Sequence, residues 1–184
     1  MRNRIGFLLT AVICLIFGSL FAQPYQQEVP DDYDYIVRPG QEVPDFDLLL
    51  LDGSKLNIKD LRGKVVMLQF TASWCSVCRR EMPHIEEDIW LEYRDNPGFA
   101  LYGIDLDEPA ERVREFQKEI GVTYPLTLDP DGSIFYRFAA AGAGVTRNVI
   151  IDREGKIAFM TRLYKEDEFS EMIEVIDSLV SGKK

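Results

Sequence analysis

Beyond residue 40 the apolar positions follow two periods in turn, and each change of period marks an element. "DFDLLLLDGSKLNIKDL", Asp45 to Leu61, sets two short apolar-bearing runs either side of Asp52-Gly53, a turn-forming dipeptide, and predicts a β-hairpin. "KVVMLQFT" is almost continuously apolar, as a strand buried on both faces should be. "SVCRREMPHIEEDIWLEYRD" carries Met82, Ile85, Ile89 and Trp90 at helical spacing, with Pro83 inside it. Proline has no N–H to give, so a kink is expected there. "GFALYGIDL" is a second buried-type strand, and "EPAERVREFQKEIGV" a helix with Pro109 near its start and Gly121 at its end. "YPLTLDPDG" gives a short strand and turn, and "SIFYRFA" a short helical or irregular piece. "RNVIIDREGKIAFMTRL" is a hairpin turning at Glu154-Gly155, and "KEDEFSEMIEVIDSLVSG" a closing amphipathic helix. Strands alternating with helices, then a terminal hairpin, predict an α/β fold with a central mixed sheet.

The N-terminal residues follow neither period. Arg2 and Arg4 precede an uncharged apolar run from Ile5 to Ala22, so residues 1–22 read as a secretory signal cut after Ala22, or as a retained membrane anchor. Either reading exports the rest of the chain. Cys14 belongs to that run, and Ile13 before it is not the small residue that lipidation requires. Residues 23–39, "QPYQQEVPDDYDYIVRP", are polar, acidic and proline-bearing, a tether or extended arm ahead of a domain at 40–184, whose tyrosines could pack although the composition favours a solvated linker. The whole chain of 184 residues has a formal net charge of −10, and losing Arg2 and Arg4 makes it more acidic still. Nucleic acid, whose phosphates such a chain repels, is excluded as a partner.

Cys75 and Cys78 follow the first buried strand and open the first helix. A closed zinc site needs four ligands, and outside the signal the chain offers these two cysteines and the single histidine, His84. No metal or other cofactor is expected. As a structural staple a disulfide closing so small a loop removes little entropy from the unfolded chain. As a redox couple the placement is good. The positive end of the helix dipole favours a thiolate at Cys75, and Arg79 and Arg80 add favourable charge. Cys75 is then the exposed attacking sulfur, and Cys78, one turn deeper, resolves the mixed disulfide.

"FTASWCSVCRREMP" resembles the active-site strand, turn and helix of the thioredoxin superfamily, with Trp74 before the couple and Pro83 at the family's kink position. The wider pattern from "VPDFDLLLLDG" to "VIIDREGKI" is similar to exported thiol-disulfide oxidoreductases of the TlpA/ResA type, AhpC/TSA-redoxin-like proteins. That resemblance covers about Gly40 to Val180 and implies a thioredoxin-like fold with an added N-terminal hairpin and an inserted helix near Pro109 to Ile120. It also implies a periplasmic enzyme exchanging disulfides with exported protein thiols, more often as a reductant, and coupled to a membrane electron donor or acceptor.

Three departures stand out. Aligning "VIID" with the family's strand puts Thr146 where a cis-proline faces the couple, so Val145-Thr146 should be trans and the substrate groove remodelled. Arg147 would then lie near Cys75 and depress its pKa, or else be a solvated arginine at a strand start. Gln69 stands where thioredoxin has a buried acid, which leaves Glu81, three residues after Cys78, as the candidate proton carrier or else a surface carboxylate. Ser76-Val77 replaces thioredoxin's Gly-Pro and changes the redox poise. Two other functions compete. Peroxidases share the fold, but the proline and threonine positions of their motif hold Leu68 and Ala72, with Thr71 one residue out of register. A binding module without turnover is the other, supported by the missing proline and opposed by the intact cysteine pair.

Overall fold

The computed structural model describes residues 27–182, so the signal segment expected at 1–22 lies outside the described residues. Seven strands form one mixed sheet in the order β2-β1-β5-β4-β3-β6-β7. These are β1 (Asp47–Leu50), β2 (Lys55–Asn57), β3 (Val65–Thr71), β4 (Phe99–Leu106), β5 (Leu126–Asp129), β6 (Arg147–Ile151) and β7 (Ile157–Arg162). β3, β4 and β5 run parallel, while β1 on β5, β6 on β3 and β7 on β6 are antiparallel. Both predicted hairpins are present, and Gly53 and Gly155 take the left-handed backbone their turns need.

β3 is buried along its whole length, between β4 and β6. Side chains alternate across a strand, so Met67, Gln69 and Thr71 face one side and Val66, Leu68 and Phe70 the other. The first side is covered by helices α1 (Ser76–Ile85), α3 (Ala110–Ile120) and α4 (Glu166–Ser181). His84 of α1 stacks on Tyr164 just before α4, at 5.0 Å between ring centroids. On the second side Phe70 meets Phe135 and Phe138 at 5.7 and 5.2 Å, and Phe138 meets Phe46 at 5.8 Å. The α1 helix passes through a wide π-type turn at Glu86–Trp90 into the short α2 (Leu91–Tyr93). That change of winding begins three residues after Pro83, which cannot donate to the carbonyl of Arg79.

The N-terminal segment corrects the sequence reading. From Gln27 to Pro39 the chain is packed onto the domain, with Tyr33, Tyr35 and Val37 buried and Asp34, Ile36 and Arg38 exposed. Gln27 accepts from the Met160 N–H (2.8 Å) and donates to its carbonyl (2.6 Å), so one side chain pairs with the edge strand β7. The Ile36 N–H donates to the Phe138 carbonyl (2.8 Å), and the Tyr35 hydroxyl to that of Thr161 (2.7 Å). Composition made this stretch look like a linker. Its strict in-out alternation at Tyr33, Tyr35 and Val37 was the contrary signal.

Candidate active site

Cys75 and Cys78 are joined as a disulfide where β3 gives way to α1, with Cα atoms 5.3 Å apart. Cys75 is the N-cap of α1, and its Sγ accepts from the Cys78 N–H at 3.2 Å. An N-cap sulfur is held among the free N–H groups of the first turn, where negative charge is favoured. Cys78 is fully buried and Cys75 keeps 8% of its surface, so Cys75 is the more accessible sulfur though nearly covered. Trp74 beside it is 67% exposed, a large apolar side chain offered to solvent at the mouth of the site. Ser76 is exposed and Val77 half-buried.

Thr146 closes the site from the other side. Its hydroxyl lies 3.1 Å from Cys75 Sγ and 3.2 Å from Cys78 Sγ, and the residue is buried with Val145 before it. Among the described residues no peptide bond is cis, so Val145-Thr146 is trans. The departure at this position therefore replaces a ring by a hydrogen-bonding group that touches both sulfurs.

Below the couple lies a polar network inside the sheet and helix layer. Glu81 is 1% exposed, one helical turn beyond Cys78. It accepts from Asn148 Nδ2 at 2.7 Å and from Gln69 Nε2 at 3.4 Å. Gln69 accepts from the Tyr124 hydroxyl at 2.7 Å, and Asn148 also donates to Thr161 Oγ1 at 2.9 Å. Burial pushes the Glu81 carboxyl up to about 7, against the pull of its bonds to Asn148 and Gln69 and the charge of Arg80. The surface-carboxylate reading of Glu81 is thus excluded. Gly103 on β4, in register with Gln69, makes room for this network: a Cβ there would come within 2.4 Å of Leu126 Cδ2 and 3.3 Å of the Tyr124 ring.

Arg147 is not where the sequence reading put it. Strand alternation sends Thr146 and Asn148 to the helix side and Arg147 to the opposite face, where its guanidinium is fully buried over the Tyr35 ring at 4.6 Å. It is therefore neither beside Cys75 nor solvated. Arg79 is engaged too: its Nε donates to the Ser73 carbonyl (2.7 Å) and its Nη2 meets Glu119 (2.9 Å), so much of its charge is neutralised locally. Arg80 is exposed and lies 5.6 Å over Tyr164.

A second constellation went unread in the sequence. Glu108 accepts from both the N–H and the hydroxyl of Ser73, each at 2.5 Å, and Arg112 Nε donates to that hydroxyl at 2.9 Å. The turn before the couple is thus clasped by the inserted helix α3 and the loop leading into it. Beneath it Asp105, in register with Thr71, is fully buried and pushed up to about 8 by burial and by the charge of Glu108. A charged residue inside the otherwise apolar "GIDL" was the only sequence signal for it.

A model of the AhpC/TSA family matches residues 39–160. The thiol-disulfide oxidoreductase ResA of Oceanobacillus iheyensis is 34% identical over 137 residues, 72% of this chain and 69% of that protein. The thioredoxin-like protein YneN of Bacillus subtilis is 37% identical over 128 residues, 69% of this chain and 71% of that one. Among solved structures, a candidate protein disulfide isomerase from Bacteroides thetaiotaomicron superposes with a TM-score of 0.78 at 58% identity, covering 81% of this chain and 94% of that chain.

Proposed function

The chain belongs to the AhpC/TSA family and is a thiol-disulfide oxidoreductase of the ResA type, and from that premise we propose that it acts outside the cytoplasm as a reductant of exported protein disulfides. One observation carries the reading: the Cys75–Cys78 pair caps α1 with a buried carboxyl one turn below it and a hydroxyl on both sulfurs. In the reduced protein the Cys75 thiolate attacks one sulfur of a partner disulfide, and the partner's other sulfur leaves as a thiolate. Cys78 then loses its proton and attacks Cys75 Sγ, which releases the partner's second thiol and leaves the pair oxidised. The partner gains two electrons and two protons. Glu81, with its carboxyl near neutral pH, takes the proton from Cys78, the part that Gln69 cannot play. Thr146 donates its hydroxyl to the Cys75 thiolate, and exposed Trp74 supplies apolar contact to the partner segment.

Return of the couple to its dithiol form requires a donor, which in this reading is a membrane-bound thiol reductant. The apolar run at residues 5–22 is the export signal and, if retained, the tether that keeps the domain near that donor. The geometry favours disulfide exchange over the peroxidase reading. Thr71 gives its hydroxyl to Met82 Sδ at 3.4 Å, and Arg147 faces away from the couple. The deciding measurement is the reduction potential of Cys75–Cys78, by thiol counting in glutathione buffers. The expected value is near that of thioredoxin, about −270 mV, and one near about −120 mV would make the protein an oxidant instead.

A further inference from the structure

Arg147 is fully buried, and the exchange chemistry leaves it unused. Its Nε donates to the Gly144 carbonyl at 2.9 Å and its Nη1 to the Tyr33 carbonyl, while the guanidinium lies 4.6 Å over Tyr35 and 5.9 Å over Phe135. A buried cation without these partners would be strongly unfavourable, so the contacts are not easily given up. The two carbonyls belong to different segments. Gly144 is two residues before Thr146, in the loop that presents the hydroxyl, and Tyr33 is in the N-terminal arm.

That loop has little else to hold it. From Ala140 to Gly144 it is built of alanine and glycine, Gly142 takes a left-handed backbone, and a Cβ at Gly142 or Gly144 would meet no atom within 4 Å. Its ties run to the arm and to the far hairpin: the Ala140 N–H donates to the Asp34 carbonyl (2.9 Å), and the Leu163 N–H to the Thr146 carbonyl (3.1 Å).

We infer that Arg147 is a positioning residue for the couple: by joining Gly144 to the N-terminal arm it holds the Thr146 hydroxyl at both sulfurs, which makes the arm part of the active site. The inference rests on the reading that this hydroxyl stabilises the Cys75 thiolate. A cysteine whose thiolate loses a charge-assisted hydrogen bond is less ionised at acid pH and is therefore alkylated more slowly there.

The test is the rate of iodoacetamide alkylation at Cys75 in the reduced full chain between pH 5 and pH 9, read by mass spectrometry of the peptide. Thr146→Val should slow the reaction at pH 6 about tenfold, the size expected for one hydrogen bond to a charged group. Arg147→Met should slow it by a similar factor in the native background and by nothing further in the Thr146→Val background. Tyr35→Leu, which removes the ring under the guanidinium, should act in the same direction and carries the test if Arg147→Met does not fold. Val175→Ala, a core change in α4, should lower stability without moving the alkylation profile. If Thr146→Val is slow while Arg147→Met and Tyr35→Leu react as the native chain does, the positioning role is wrong and the thiolate reading stands. Should Thr146→Val react at the native rate, the thiolate reading falls, and any slowing by Arg147→Met reaches the sulfur by another route.

Discussion

At the scale of single residues the most exacting feature is Glu81, a carboxyl with almost no exposure whose pKa is about 7 against an ordinary 4.5. Below pH 4.5 the carboxyl is protonated both folded and unfolded, and it adds no pH dependence. Between there and about 7 the folded state keeps a proton that the unfolded chain releases, so stability falls as pH rises, and above about 7 the full cost is present. That cost is on the order of 3 kcal/mol. Glu81→Gln keeps the acceptor for Asn148 and removes the charge. It should therefore raise the thermal midpoint by about 5 °C or more at pH 8 and by much less at pH 4. The same substitution should slow disulfide exchange at pH 7 at least about tenfold, because no proton acceptor remains one turn below Cys78. Equal thermal midpoints for the two proteins at pH 8 would show the carboxyl to be solvated. A carboxylate kept at such a cost one helical turn from Cys78 is better explained by proton transfer than by stability.

Among the elements, α3 matters because it reaches the active-site turn. Glu108→Ala should remove both bonds to Ser73, destabilise the chain by about 2 kcal/mol and speed amide exchange at residues 72–75 while leaving α4 protected. Mass-resolved exchange of the two peptides checks this, and equal acceleration in both would mean a global rather than local effect. The strands, both hairpins, the helix caps at Pro109 and Gly121 and the place of the couple were all readable from the sequence, because period, turn residues and apolar runs are local signals. What escaped depended on which face a side chain meets. Thr146 was placed correctly opposite the sulfurs, and strand alternation alone would then have sent Arg147 to the other face and Asn148 toward Glu81. For Tyr33 and Tyr35 the composition favoured a solvated linker over packing, because acidic neighbours outweighed an alternation only three positions long. The Ser73–Glu108 clasp joins residues 35 apart in sequence, and no local pattern announces such a contact.

For the molecule as a whole, the few acidic residues whose titration is displaced fall into two sets that oppose each other along the pH axis. Glu119 is held down to about 2 by Arg112 and Arg79, and Asp45, Asp52 and Asp131 are lowered by their hydrogen-bond partners. Their contribution is present above their ordinary values and is lost as pH falls below about 4. All four are solvent-exposed pairs or turns, so the acid limb of the stability curve should be shallow. Glu81 at about 7, Asp105 at about 8 and Asp129, which burial also raises, act in the other direction and are all buried. Their loss of stability starts near pH 4 and is complete only above about 8, and the growing net negative charge adds repulsion over the same range. Thermal unfolding of the oxidised chain from pH 3 to pH 9 should therefore show its maximum at about pH 4 to 5, below the range usual for proteins, with a steep decline on the alkaline side. The double variant Glu81→Gln, Asp105→Asn should flatten that decline and leave the acid limb unchanged. A maximum at neutral pH in the native chain would mean that burial does not raise the two carboxyls, leaving Glu81 too weak a base near pH 7 to serve as the proton acceptor for Cys78.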